Sequence, residues 1–237
     1  MAGVRHFAVA IGATCTSGDD RMPKLRLYYS PGACSLAPHL VLEQAGLDYE
    51  LVRVDFAAGE QRSEDYLKLN PKGRVPVLCD GDAVITENPA ILRYITRLAP
   101  ERELWPSEPL AEARCAEWLA FLSSGLHPAY AHIRRPERYA SGEEARRDVV
   151  ETGKAAARAL WEMAEAKLAG AGDLHAAGAA LSVADFYLLV FWNWGRGSVL
   201  GYDMPGDFPA WTALARRLTE LPAVRAVLER EGLSLPA

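Results

Sequence analysis

The stretch Tyr28-Tyr29-Ser30-Pro31-Gly32-Ala33-Cys34-Ser35 sets one thiol between a short apolar strand, Leu25 to Tyr29, and an amphipathic helix. Ser35 is a good N-cap and Pro38 falls in the first turn, where a missing N–H costs nothing, so the helix is expected to start near Ser35 with Cys34 just outside it. That end of a helix carries partial positive charge, which favours thiolate over thiol and is expected to lower the cysteine pKa. A strand, a Pro-Gly turn and a thiol at a helix start point to thiol chemistry. The plain alternative is a small hydrophobe in a helix cap.

A second candidate is a broken strand. In Arg74-Val75-Pro76-Val77-Leu78 a proline interrupts an otherwise good strand, following the turn signal Asn70-Pro71-Lys72-Gly73. Proline cannot donate to a sheet ladder, so Pro76 belongs at the strand's first residue, with a cis bond as one route, and the Val75 backbone is left to bond something else.

These pieces need elements to hold them. After the first helix, Gly46 supplies a C-cap, and Tyr49 to Val54 alternates as a strand does. Strand, helix and strand in this order read as a parallel unit. A short helix over Ser63 to Lys68 comes before the broken strand. Asp80-Gly81 then makes a hairpin to Ala83-Val84-Ile85, and Thr86 is the expected cap of a helix carrying Pro89, Ile91, Leu92 and Ile95. The order is β-α-β-α-β-β-α, a small α/β domain with a mixed sheet.

Residues 100–106 read as a linker. From 107 to 237 the strand signals stop and the pattern is all helical: Leu110 to Leu126, Glu143 to Leu168, Phe186 to Trp194, Trp211 to Leu218 and Ala223 to Leu228. Leu181 to Phe186 form a capping box with a hydrophobic staple, Ser182 as N-cap and Asp185 at N3, which is a folding device. His132, Arg134, Arg135 and Arg138 read as a solvated basic loop.

Composition narrows the function class. The chain has 237 residues, a formal net charge of -5 and four cysteines. No basic run suggests a nucleic-acid or acidic-lipid surface, and no apolar run is long enough for a membrane span. Cys15, Cys34, Cys79 and Cys115 show neither a CxxC pair nor metal-ligand spacing, so no metal is expected and a reducing, cytoplasmic compartment is. Residues 1–23 read as a disordered extension or a mis-called start, with Met22 the natural beginning.

Taken together, YYSPGACS (Tyr28 to Ser35), NPKGRVPVL (Asn70 to Leu78), TEN (Thr86 to Asn88), GLHPAY (Gly125 to Tyr130) and SVADFYL (Ser182 to Leu188) resemble the glutathione S-transferase family, most closely its bacterial beta class. The resemblance runs from about Lys24 onward. It implies a thioredoxin-like N-terminal domain (residues 24–99) that binds glutathione and a helical domain that forms the electrophile pocket. It also implies a homodimer, glutathione as co-substrate and no permanently bound cofactor.

Carried over by residue, Cys34 matches the cysteine that can hold glutathione as a mixed disulfide, and His127 the histidine that approaches from the helical domain. Val75, before Pro76, matches the residue whose backbone pairs with the cysteinyl part; Glu87 and Asn88 match the pair at the γ-glutamyl end; Ser35 and Ser124 complete the set. Glu87 can accept from the ammonium, while Asn88 and a helix N-terminus can donate to the carboxylate. Hydrogen bonds from Ser35 or His127 are expected to lower the pKa of the glutathione thiol.

The chain departs from the family pattern at Asn88, where serine or glycine is usual, at Pro128, where lysine is common, at Ala120, and in the Asp55 to Arg62 loop, where Gln61 or Arg62 replaces a lysine. Cys79, Cys115, Tyr28 and Tyr29 read as packing residues, and Trp194 and Asn193 as candidates for the electrophile pocket.

The leading expectation is an enzyme that conjugates glutathione to small hydrophobic electrophiles in detoxification. Its rival is glutathione-dependent disulfide exchange or peroxide reduction through Cys34 as a monothiol. A non-catalytic relative that binds a ligand or a protein is the third.

Overall fold

The computed structural model describes residues 25–234. The expectations for residues 1–23, and for Cys15, fall outside the described residues. Three elements begin the chain: β1 (Leu25–Tyr29), α1 (Leu36–Ala45) and β2 (Tyr49–Arg53). They make the expected parallel unit, with Leu25 opposite Tyr49 and Tyr29 opposite Arg53. Gly46 ends α1 at φ 70, the left-handed conformation open to glycine, and its N–H returns to Glu43 O.

After α2 (Glu64–Leu69), β3 (Val77–Asp80) runs antiparallel to β1 and hairpins into β4 (Ala83–Thr86), giving the sheet order β2-β1-β3-β4. Then comes α3 (Asn88–Leu98). Period-two alternation sorts the strand residues by face. Tyr28, Val52, Val77 and Cys79 pack with Tyr66 of α2 on one side. On the other, Leu27 and Leu78 stand opposite each other and are fully buried. This is the thioredoxin-like architecture with a mixed four-stranded sheet. Pro76 lies one residue before β3 rather than within it, since Val77 is the first residue with a ladder partner.

The second part of the chain is helical: α4 (Pro109–Phe121), α5 (His127–Arg134), α6 (Glu143–Ala171), α7 (Val183–Arg196), α8 (Met204–Asp207) and α9 (Pro209–Thr219). Every residue of α7 from Val183 to Trp192 is buried. Its start is satisfied internally, because water does not reach it. The Asp185 carboxylate accepts the Ser182 N–H at 2.7 Å, the Ser182 hydroxyl at 3.1 Å and the Ala176 N–H at 2.8 Å. Three buried indoles are likewise paired, Trp118 with Ala176 O, Trp192 with Thr212 Oγ1 and Trp211 with Leu188 O, while Trp161 Nε1 has no hydrogen-bond partner.

Two sequence expectations change here. The stretch read as a basic loop is partly α5; His132 stacks on Tyr139 with centroids 3.9 Å apart, and its Nδ1 lies 2.7 Å from Pro128 O. Proline at position 128 masked the helix, although proline is well tolerated in a first turn. The other change concerns the last helix, α10 (Pro222–Arg230). The helical domain was expected to reach residue 237. The described residues instead divide into one unit of 25–102 with 222–234 and a second of 103–221, which contains α4 to α9.

The physical reason is polar. Arg230 Nη1 donates to Glu43 Oε2 at 2.9 Å and to Tyr49 Oη at 3.0 Å. Glu231, fully buried at its side chain, meets His39 Nδ1 at 2.6 Å. Leaving those charges without partners in a core would cost several kcal/mol on the order expected for a broken buried pair. That cost fixes α10 on α1.

Candidate active site

Sheet register brings the expected N-terminal residues to one edge. Tyr28 at the end of β1 pairs with Val77 at the start of β3, and Val77 pairs with Thr86 at the end of β4. The turns that leave or enter at that edge carry Cys34, Val75-Pro76 and Glu87-Asn88.

The Cys34 turn is braced from within. Ser35 Oγ accepts the Ser30 N–H at 3.1 Å and donates to Ser30 O at 3.2 Å, and Ser35 is fully buried. It precedes α1 without a side-chain bond to the helix end. Its hydroxyl therefore closes the turn. Glu231 Oε2 adds a further brace by accepting the Gly32 N–H at 2.9 Å.

Cys34 also differs from expectation. It is 7% exposed and its Sγ lies 3.3 Å from Val75 O, to which the thiol donates. Burial pushes the thiol up to about 12, against smaller lowering contributions from its backbone hydrogen bond and from Asn88. The expected lowering by the helix start is outweighed, because desolvation penalises the charged form more than nearby dipoles reward it. At neutral pH Cys34 is a thiol.

Val75-Pro76 is a cis peptide, and both residues are buried. The Val75 carbonyl that the sequence left available is the acceptor for Cys34. The preceding turn is fixed by Asn70, whose Nδ2 donates to Arg74 O at 2.7 Å and whose Oδ1 accepts the Lys72 N–H at 3.2 Å.

Glu87 occupies the N-cap position of α3 that was expected for Thr86, at φ 73 and ψ 122. A non-glycine residue in this region is strained, and the conformation turns an exposed carboxylate outward ahead of the helix. Asn88, 5% exposed, donates Nδ2 to Cys34 O at 3.0 Å. One hydrogen of its amide thus braces the Cys34 turn, and its buried Oδ1 has no hydrogen-bond partner. Gln61 and Arg62 lie together on the short turn Glu60–Arg62.

Ser124 and His127 belong to the second unit. Between α4 and α5 the chain widens to a π turn, Leu122–Leu126, and the His127 N–H reaches Leu122 O. Such turns rotate the following side chain relative to a continuous α-helix, and Pro128, which has no N–H, suits a place just after one. Ser124 is exposed and donates to Ala120 O at 2.8 Å. His127 meets Trp194 edge-on at 5.1 Å and Phe191 at 6.2 Å, and Trp194 stacks on Tyr130 at 4.3 Å. His127, Tyr130 and Trp194 are half-buried, so together they make an aromatic wall with an open side.

Cys79, Cys115, Tyr28 and Tyr29 are all buried, and of the two cysteines Cys115 is a thiol outside any disulfide. Sequence reasoning missed Glu231. No local pattern marks it, because it lies 199 residues from Gly32 along the chain. It also passed over Lys72, which was read only as part of a turn signal.

Comparison with known proteins follows the same lines. The family described as "Glutathione S-transferase, N-terminal domain" matches residues 23–97. A curated glutathione S-transferase of Xanthomonas campestris is 35% identical over 215 residues, covering 89% of this chain and 100% of that protein. Among solved structures, a glutathione transferase homologue from Sulfitobacter with bound glutathione is 36% identical, with a TM-score of 0.83 and coverage of 90% of this chain and 100% of that one. A bacterial beta class transferase from Sphingomonas chungbukensis is also 36% identical, with a TM-score of 0.74 over 88% of this chain and 100% of that one. The chain belongs to the glutathione S-transferase family.

Proposed function

We propose that this enzyme, most like the bacterial beta class, conjugates glutathione to small hydrophobic electrophiles in a detoxifying role, with the thiolate of glutathione as the nucleophile. The observation that carries this reading over the redox alternative is the state of Cys34. A cysteine that is buried, donates its hydrogen to Val75 O and is held near 12 is a poor nucleophile at neutral pH. It suits a neutral hydrogen-bonding neighbour of the substrate thiol better than a monothiol redox centre.

In this scheme the glutathione thiolate attacks the electrophilic carbon, the carbon–sulfur bond forms and the leaving group departs with its electron pair. The thiol proton has gone to solvent beforehand. The edge beside cis-Pro76 suits an extended peptide aligned on the Val75 backbone. Glu87 faces the γ-glutamyl ammonium, and the N–H groups that open α3 face its carboxylate. By the family pattern Ser124 and His127 act on glutathione, and the aromatic surface at Trp194 suits a hydrophobic electrophile.

Homodimerisation and a cytoplasmic site of action belong to the same proposal. No helix among the described residues is long and apolar enough to cross a membrane. Sedimentation should return twice the chain mass.

The test is calorimetric titration with glutathione, paired with conjugation of a chromogenic aryl halide. Binding with turnover is the expected result. Binding without turnover would favour a non-catalytic relative, and absence of binding would overturn the reading.

A further inference from the structure

Two cations claim the Glu87 carboxylate in the proposed complex, and one belongs to the protein. Lys72 Nζ lies 2.6 Å from Glu87 Oε1 and 2.7 Å from Thr86 Oγ1, so the ammonium is held by two acceptors. The backbone on each side is fixed. Asn70, 1% exposed, accepts the Lys72 N–H and anchors Arg74 O, while its own carbonyl receives the Gly73 N–H at 2.9 Å. Gly73 takes φ 60, where an added Cβ would come within 2.9 Å of Gln61 O. Across from it, Glu87 is set by its φ of 73 at the head of α3.

We propose that Lys72 is a specificity-determining residue for the amino end of the thiol substrate. It competes with the γ-glutamyl ammonium for Glu87, and it supplies the matching positive charge when a thiol peptide lacks that ammonium. The proposal rests on the reading of Glu87 as the γ-glutamyl clamp. Lys72 and Glu87 are 43% and 67% exposed at their side chains, so water screens the pair and the effect is a modest factor.

The decisive experiment is a double cycle measured by calorimetry. Its ligands are glutathione and the same peptide without the amine, glutaryl-cysteinyl-glycine. Its proteins are wild type, Lys72→Met and Lys72→Arg. Loss of a positive charge changes the attraction for the carboxylates of both peptides alike, so the ratio of the two dissociation constants isolates the amine. Preference for glutathione over the amine-free peptide should rise about fivefold in Lys72→Met and stay near wild type in Lys72→Arg, a factor of the size an exposed pair can supply.

An unchanged or smaller preference in Lys72→Met would overturn the proposal while leaving the Glu87 clamp in place. Wild type that binds both peptides equally and does not respond to Lys72→Met would overturn both. Failure of wild type to bind either peptide would remove the clamp and this proposal together. Because Lys72 is exposed, thermal unfolding of the variants should match wild type, which separates specificity from folding.

Discussion

The Glu231 carboxylate bonds the Gly32 N–H at 2.9 Å with one oxygen while its other oxygen meets His39 Nδ1 at 2.6 Å. A side chain from beyond the last helix thereby holds the turn that presents Cys34. Arg230, a donor-only group, lies 3.2 Å from His39 Nε2, so that nitrogen accepts and Nδ1 carries the hydrogen given to Glu231. Glu231→Ala removes an acceptor from both His39 and the Gly32 N–H. It should destabilise the protein by about 3 kcal/mol in urea unfolding, as breaking a buried charged network does. KM for glutathione should rise with it, because the turn loses an anchor.

Cys34 gives a pH dependence with a definite sign. Its thiol goes from an ordinary 9.0 up to about 12 on folding. The unfolded chain therefore loses its proton first. The stabilisation tied to the neutral thiol is complete below about pH 9 and is lost as pH rises toward 12. In unfolding experiments, the stability of wild type relative to Cys34→Ala should decline across that window. A difference that rises as pH passes through 7 instead would mean an ionised thiol.

Glu87 should show stability and binding moving in opposite directions. Glycine tolerates the backbone conformation at φ 73 and ψ 122 that a glutamate holds at a cost. Glu87→Gly should raise stability by about 1 kcal/mol, while glutathione binding weakens about tenfold through loss of a charge-assisted contact. Thermal melts with calorimetry read both. Loss of stability without loss of binding would remove Glu87 from the site.

Asp185 predicts the reverse separation. It is fully buried and takes three hydrogen bonds at the head of α7. Asp185→Ala should cost about 3 kcal/mol by leaving those donors unpaired. The fraction that folds should keep wild-type KM for glutathione, a point that active-site titration of the soluble protein can check.

What could be seen in the chain beforehand depended on how local the cause was. The parallel unit, the hairpin at Asp80-Gly81 and the Ser182–Asp185 cap are set by neighbouring residues, and each could be read from pattern alone. The place of Cys34 was legible too, since a strand, turn and helix announce it.

Its protonation state was not. Helix dipoles are visible in a sequence, whereas the burial that overrides them arises only when Val75 and α3 close over the thiol. Ser35 misled for a related reason. A serine ahead of a helix reads as a cap, yet its hydroxyl turned back five residues to Ser30. Glu231 and the attachment of α10 depend on chain segments that meet only in three dimensions. The resemblance to a known family supplied the γ-glutamyl and histidine positions, which spacing alone would have left as a helix start and a lone histidine.

The central claim is that glutathione, and not Cys34, is the attacking nucleophile. It is tested most directly by kcat/KM for conjugation of glutathione with an aryl halide in Cys34→Ala beside wild type. Loss of one neutral hydrogen-bonding neighbour predicts a decrease of about tenfold or less. A decrease of about a thousandfold or more would contradict the account and make the Cys34 sulfur itself the reacting atom.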